Sequence, residues 1–422
     1  EHSYLYHNST LALDANTGEI SWHYQHLNDH WDLDHPFERL LVDTAVAPDP
    51  GSVSWINPRL REGEIRKVVT GIPGKTGVVY TLDRETGEFL WANPTVTQNV
   101  IADIDGVTGG VTENSEVVFT GSGTSAIESM ITSLVPIHTK LLIIENGVYG
   151  ERLTKIAKIH DIDHVVLHHE WGEEIDLANL NNELRYHKEI SHVAVVHHET
   201  TTGCLNNINK IADVCKNHNN ISLLVDAVSS FGAEEIRFDD WNIAACSATA
   251  NKCLHGVPGA SFVITNRSAL PPMIATSART LYLNLIDYLD AQDNNKTPFT
   301  QSIQAFYALD EALEELIELG GWKNRQEKYQ HLMNIVREGL EQLKIKPCLE
   351  ENKSSCVLNS FYLPEGITYK KLHDELKKSG FIIYAGQGGL KKSFFRISCM
   401  GDIAETDILK FISSVKKIIA KK

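Results

Sequence analysis

The stretch "VVFTGSGTSAIESM", residues 117–130, decides how most of this chain is read. It has the form of an apolar strand that runs into a glycine-rich turn and then a helix. Backbone N–H groups left free at a helix N-terminus, next to a glycine turn, make a cradle for phosphate. Ser122, Gly123 and Thr124 are the candidates to hold it, through backbone amides and hydroxyls. The composition on the two sides of this turn is not the same.

The chain has 422 residues and a formal net charge of −16, long enough for two or three domains and a large core. No basic block is present, which argues against nucleic acid as a partner. No apolar run reaches the roughly 18 residues that a spanning helix needs, so no membrane partner is expected. The seven cysteines form no CxxC pair and all lie beyond residue 200. That usage fits a reducing, cytoplasmic compartment. Residues 1–120 carry 7 basic and 18 acidic side chains, a net of −11, and four of the seven tryptophans. The remaining 302 residues carry 32 and 37, a net of −5. Two origins are implied.

The first part contains a repeat. "ALDANTGEISW" (12–22) and "TLDRETGEFLW" (81–91) share L-D-x-x-T-G-E-x-x-W, and "DIDGVTGGV" (103–111) echoes its core. Asp-x-x-Thr-Gly between alternating apolar runs is a hairpin signal: the Asp caps the turn and the Gly takes positive φ. The Trp that follows can pack flat between neighbouring sheets. With "NDHWDLDHPFERLLVD" (28–43) and "GIPGKTGVVYTLDRETG" (71–87), these repeats resemble the pyrroloquinoline-quinone-dependent alcohol dehydrogenases, eight-bladed β-propellers of typically periplasmic location. The resemblance matches Asp32 to a catalytic base, Asp34 to a metal-side carboxylate and Lys75 to a basic residue beside the quinone. About 120 residues make only two or three blades of about 40–50 residues. A propeller binds its cofactor on the closed axis, so the quinone site is expected to be vestigial, with no metal held.

Beyond Gly121, "KLLIIENG" (140–147), "HVVLHHEW" (164–171), "HVAVVHHET" (192–200), "SLLVDAVS" (222–229) and "ASFVITN" (260–266) read as strands, with helical patterns such as "NKIADVCKN" (209–217) between them. This alternation predicts an α/β sheet covered by helices. From about Gly321, charged helices frame "FIIYAG" and "FFRISCM" and suggest a smaller α+β domain. The expected organisation is a partial propeller over 1–119, a large α/β domain over 120–320 and a small domain over 321–422.

Functional residues in such sheets gather where strands end. Asp226 ends an apolar strand. Lys252 lies among small residues ahead of a Gly-Val-Pro-Gly turn, where loss of water frees its amine as a nucleophile. Arg396 sits in a strand-like run, able to clamp an oxyanion. A phosphate cup, a carboxylate and a lysine are the parts that pyridoxal phosphate needs. The histidine pairs 168–169 and 197–198 point to opposite strand faces, which argues against a shared metal ion.

The segments "GSGTSAIESM", "ENGVYGERL", "HHETTTG", "VDAVSSFG", "NKCLHGVPG", "RTLYLNL" and "FFRISCMG" occur in the order found in the class V, fold-type I aminotransferases. Over residues 120–422 the chain resembles that family. It looks most like the 2-aminoethylphosphonate:pyruvate transaminases, with the alanine/serine:glyoxylate transaminases as the sister alternative. The resemblance implies a mixed seven-stranded sheet, pyridoxal 5'-phosphate as cofactor and small amines and 2-oxo acids as substrates. Lys252 would carry the cofactor, Asp226 would face its pyridine nitrogen, and Ser122–Thr124 would hold its phosphate. Tyr149 would stack on the ring, Thr200 would bond the ring oxygen, and Asn251, beside the lysine, would also contact the cofactor. Thr297 and Thr300 would reach the phosphate of a partner subunit, which implies a homodimer. Arg396 would bind phosphonate or carboxylate. The family's longer lead-in, with its Pro-Gly-Pro segment, is replaced here by propeller-like sequence. The junction is expected between about Val117 and Gly121 of a chimeric chain, either a working aminotransferase behind a passenger or an inactive fusion.

Overall fold

A computed structural model describes residues 9–26, 39–45, 48–49, 52–61, 63–71, 76–95, 101–218, 221–238, 240–266, 278–294 and 296–420. The chain divides into two compact units. One comprises residues 1–115 with 265–270 and 289–296; the other comprises 116–264, 271–288 and 297–422.

The first unit is built from antiparallel strands. β1 (Ser9–Leu13) and β2 (Ile20–Gln25) form a hairpin. β3 (Arg39–Ala45), β4 (Trp55–Ile56), β5 (Ile65–Gly71), β6 (Val78–Asp83) and β7 (Phe89–Pro94) form a sheet in the order β3-β5-β6-β7-β4. β8 (Ile101–Ile104) pairs with the start of β9 (Val111–Gly121). The three Asp-x-x-Thr-Gly loops close in the same way. Asp14 Oδ1 accepts the N–H groups of Asn16 and Thr17, each at 2.9 Å. Asp83 Oδ1 accepts those of Glu85 and Thr86 at 2.8 and 2.9 Å, and Asp105 Oδ1 those of Val107 and Thr108 at 3.0 and 2.6 Å. Gly18, Gly87 and Gly109 then take φ of 75°, 75° and 72°. Trp22 docks on the next repeat: its Nε1 donates to Arg84 O at 3.0 Å, and its ring lies 2.8 Å from where a Cβ on Gly87 would sit. Strands β3, β5, β6 and β7 make one antiparallel blade with a core of Val69, Tyr80, Leu82 and Phe89. The quinone-site candidates Asp32, Asp34 and Lys75 lie outside the described residues.

In the second unit β9 leads to α1 (Gly123–Leu134), β10 (Lys140–Glu145), α2 (Val148–Ile159) and β11 (His164–His168). Next come α3 (Leu177–Tyr186), β12 (Ile190–Val196), the short pair β13 (His198–Glu199) and β14 (Cys204–Leu205), and α4 (Ile208–Lys216). β15 (Ser222–Asp226), β16 (Ile243–Thr249), β17 (Gly259–Asn266), α5 (Leu285–Asp293, whose residues from Leu289 on belong to the first unit) and α6 (Ile303–Glu318) follow. The sheet order is β11-β10-β12-β15-β16-β17-β9, with β11 through β16 in that order parallel to one another. Parallel strands are covered on both faces, which is why these runs read as unbroken apolar sequence. Ile208, Ile211, Ala212 and Cys215 of α4, at helical spacing, pack on Val193, Val195, Leu223 and Val225. β16 is absent from the strands expected above. Its sequence, IAACSAT, lacks a β-branched pattern, yet all seven residues are buried. Small side chains there let α1 pack close against the sheet.

The C-terminal part holds α7 (Gly321–Gln342), β18 (Leu358–Tyr362), α8 (Tyr369–Lys378), β19 (Tyr384–Ala385), β20 (Phe394–Ser398) and α9 (Glu405–Ala420). The strands pair antiparallel in the order β18-β20-β19 over a core of Leu340, Phe361, Leu372, Phe395 and Phe411. Of "FIIYAG" only Tyr384 and Ala385 are strand. The preceding residues serve the exit of α8 instead: Gly380 takes φ 89° and Phe381 N–H bonds back to Leu376 O at 2.9 Å.

Candidate active site

Strands β10, β12, β15 and β16 run parallel and end at Glu145, Val196, Asp226 and Thr249. The expected site residues Tyr149, Thr200, Asp226, Asn251 and Lys252 follow or occupy those ends. Crevices at strand C-termini are where such sheets bind ligands.

At the glycine turn, Ser122 is the N-cap of α1, in extended conformation and with no side-chain cap bond. No acidic residue occupies the first turn, and among the described residues the N–H groups of Gly123 and Thr124 have no hydrogen-bond partner. Gly123 has a steric reason to be glycine. A Cβ there would lie 2.7 and 2.8 Å from the two methyls of Val228, just past Asp226. Upstream, Thr120 N and Oγ1 both donate to Gln301 Oε1 at 2.9 Å, which fixes the end of β9.

Arg152 ties this cup to Tyr149. Its Nη1 donates to Thr124 Oγ1 at 3.2 Å, and its guanidinium lies 4.6 Å over the Tyr149 ring. Asp226 is buried, and its Oδ1 accepts Val228 N–H at 3.0 Å. Burial pushes its carboxyl up to about 7, with Glu199 adding to the effect and Arg152 and Lys252 opposing it. A carboxylate so placed ionises readily only when a cation faces it.

Lys252 sits in the turn between β16 and β17, which is held from several sides. Gly256 N–H bonds Ala250 O at 2.8 Å and His255 N–H bonds Lys252 O at 3.0 Å. From α7, buried Arg325 donates Nη1 to Cys253 O at 2.6 Å, and Tyr329 Oη meets His255 Nε2 at 2.5 Å. The lysine is partly buried, and its amine has no partner among the described residues. His198 is buried next to it, with Nδ1 on Ser229 O at 3.0 Å and Nε2 unpartnered; burial pushes its pKa down.

Arg396, on the central strand β20, reaches out of the small sheet. Nε donates to Ala385 O and Nη1 to Thr200 O, both at 3.0 Å. The structure thus gathers Thr124, Tyr149, Thr200, Asp226, Lys252 and Arg396. Asn251 is exposed and accepts from Thr249 Oγ1 at 2.9 Å. Thr297 and Thr300 are exposed ahead of α6 and are not brought to the others within this chain. Arg152 and Glu199 were not singled out in the sequence, although "GVYGER" and "HHETTTG" contain them, and His198 was weighed there only as half of a metal-binding pair. Their signal was charge inside a motif otherwise read for its Tyr and Thr. A separate cavity of about 540 Å³, lined by Ile175, His197, Asn206 and Trp241 among others, includes none of the expected site residues.

The donor set fits pyridoxal phosphate. Unspent amides and a hydroxyl at Gly123–Thr124 suit the phosphate, and buried Asp226 suits a protonated ring nitrogen. The uncommitted Lys252 amine suits the aldehyde.

Comparison with known proteins shows the family and the fold. Residues 99–410 match the family model described as aminotransferase class-V, and residues 1–103 match the glucose/ethanol/alcohol dehydrogenase β-propeller domain. A 2-aminoethylphosphonate–pyruvate transaminase of Bacillus mycoides is 39% identical over 307 residues, covering 71% of this chain and 82% of the relative. Among solved structures, an aspartate aminotransferase from Thermus thermophilus superposes with a TM-score of 0.66 at 26% identity, over 74% of this chain and 86% of that one. An alanine–glyoxylate aminotransferase from Nostoc gives 0.67 at 25% identity, over 72% and 81%.

Proposed function

Because this chain belongs to the class V aminotransferases, pyridoxal phosphate enzymes that move amino groups between small amines and 2-oxo acids, we propose that it transfers the amino group of 2-aminoethylphosphonate to pyruvate, giving phosphonoacetaldehyde and alanine. The 39% identical relative carries that activity in its name. The structural observation that supports the reading is Arg396. It spends two N–H groups on the carbonyls of Ala385 and Thr200 and leaves the rest of its fork for an anion at the mouth of the site. A fixed guanidinium fork suits phosphonate in one half-reaction and the pyruvate carboxylate in the other.

Pyridoxal phosphate, when bound, supplies the electron sink that makes the carbon bearing the amine acidic. The chain's own residues do the rest. Lys252 would hold the cofactor, and its amine would take the proton from that carbon and return it as general base and acid. Asp226 stays ionised against the protonated ring nitrogen. Gly123 and Thr124 anchor the phosphate at the positive end of α1. Tyr149 would cover one face of the ring and Thr200 would bond its oxygen. Thr297 and Thr300, exposed in this chain, serve the site of a second copy in a homodimer.

Borohydride trapping tests the reading. Protein incubated with pyridoxal phosphate and then reduced is expected to carry the label on the tryptic peptide that contains Lys252. A label spread over surface lysines, with none at Lys252, would overturn it. Alanine formation from 2-aminoethylphosphonate but not from ethanolamine would support Arg396 as the phosphonate site, and equal rates would count against it.

A further inference from the structure

We propose that Glu199 is a positioning residue that locks the ring-stacking and ring-oxygen sides of the site together, by capping helix α2 with a carboxylate from a different strand. The proposal rests on the reading of the site above. Glu199 is fully buried, yet its carboxylate is not stranded. Oε2 accepts the N–H groups of Tyr149 and Gly150 at 3.0 and 3.1 Å, two of the amides that a helix leaves open in its first turn. Oε1 accepts Thr201 N–H at 3.1 Å and Thr201 Oγ1–H at 2.5 Å. Thr201 Oγ1 in turn accepts Val148 N–H at 3.0 Å. The N-cap Gly147 offers no side chain for this work. A Cβ at Gly147 would lie 2.3 Å from Glu199 Cδ, so the glycine is what lets the carboxylate approach.

The consequences reach both sides of the site. Tyr149 is the second residue of α2, so the bond to its amide sets where its ring lies and where Arg152 stacks on it. Thr200 lies between Glu199 and Thr201, and its carbonyl is the anchor for Arg396 Nη1. One carboxylate therefore holds the aromatic of "ENGVYG", the threonine of "HHETTTG" and, through Thr200, the anion-binding arginine in one geometry. An anion at a helix N-terminus is favourable, and bonds to a charged acceptor are the stronger kind. In Glu199→Gln the amide NH2 would oppose backbone donors and leave some of them unmet.

Amide exchange on the cofactor-free protein, read by mass spectrometry, tests this without any activity. Glu199→Gln is expected to speed exchange in peptides covering 146–152 and 199–203 by about tenfold or more, the equivalent of one lost charged bond, while peptides of β15 and β16 stay unchanged. Gly147→Ala, which pushes the carboxylate from the other side, is expected to give the same local pattern, and Glu199→Asp to restore part of the protection. In the loaded enzyme, Glu199→Gln raises KM for 2-aminoethylphosphonate about tenfold while kcat falls less than threefold, the split expected of a misplaced arginine anchor. Unchanged exchange at 146–152 in both variants overturns the proposal, as does a uniform rise across the whole unit. Failure of the unsubstituted protein to bind pyridoxal phosphate would instead overturn the function proposed above and leave the exchange result standing.

Discussion

The two units of this chain differ in the hydrogen bonds that mark their recurring and site-forming segments. In the first, each Asp-x-x-Thr-Gly loop is closed by an aspartate that bonds amides two and three residues on, so one local device is repeated at Asp14, Asp83 and Asp105. In the second, the bonds that matter join segments far apart in sequence: Arg152 to Thr124, Arg325 to Cys253, Arg396 to Thr200. Local closure makes a blade, on which Leu40, Leu41 and Ile65 stay 64, 62 and 76% exposed. Long-range closure brings the candidate site residues together. A repeat is written locally in a sequence, whereas a candidate site is assembled from distant segments.

Substitutions should therefore sort by unit. The largest effect is expected from Lys252→Ala, which removes the amine that carries the cofactor and the proton. Alanine formation should fall at least about a thousandfold, and residual activity within tenfold of the parent would break the assignment. Asp226→Asn comes next, with a loss of about a hundredfold. It also has a signature in the cofactor-free protein. Burial raises the Asp226 carboxyl above its unfolded value, so the native state favours the proton. That contribution is complete below pH 3.8 and is lost as pH rises through about 7. Melting temperature should therefore fall over this range in the parent relative to Asp226→Asn; parallel curves would contradict the buried carboxyl.

Arg396→Lys keeps the charge but loses the fork. It should raise KM for 2-aminoethylphosphonate about tenfold with little change in kcat, measured by initial rates. In the first unit, Gly87→Ala meets both a φ of 75° and the Trp22 ring. It should cost about 1–3 kcal/mol, seen as faster amide exchange in β6 and β7, with cofactor binding untouched. A matching loss of cofactor binding would erase the distinction between the units. Least of all, Leu40→Lys with Ile65→Lys should change stability by no more than about 0.5 kcal/mol and lower light scattering, because these side chains already face solvent.

Much of this was legible in the sequence because its signals are local. The strand–turn–helix at Gly121, the Asp-Thr-Gly loops and the apolar strands that end at Glu145 and Asp226 each declare themselves within a dozen residues. β16 did not, because Ala, Ser and Cys were selected there for close approach of α1 and carry no β pattern. Glu199 and Arg152 stayed hidden for another reason. Their roles are set by the partners they meet, Tyr149 with Gly150 for one and Thr124 for the other, and no spacing along the chain encodes those meetings. The "FIIYAG" run misled because the turn after α8 uses its first residues before the strand begins.

We propose that the second unit carries the Lys252 amine, the Asp226 carboxyl and the Arg396 fork of one aminotransferase site. Its most direct test is to supply 2-aminoethylphosphonate with isotopically labelled nitrogen, together with pyruvate and pyridoxal phosphate, and to follow the label by NMR. Labelled alanine is expected to appear in equal amount with phosphonoacetaldehyde. Cofactor bound at Lys252 with no label reaching alanine would contradict it.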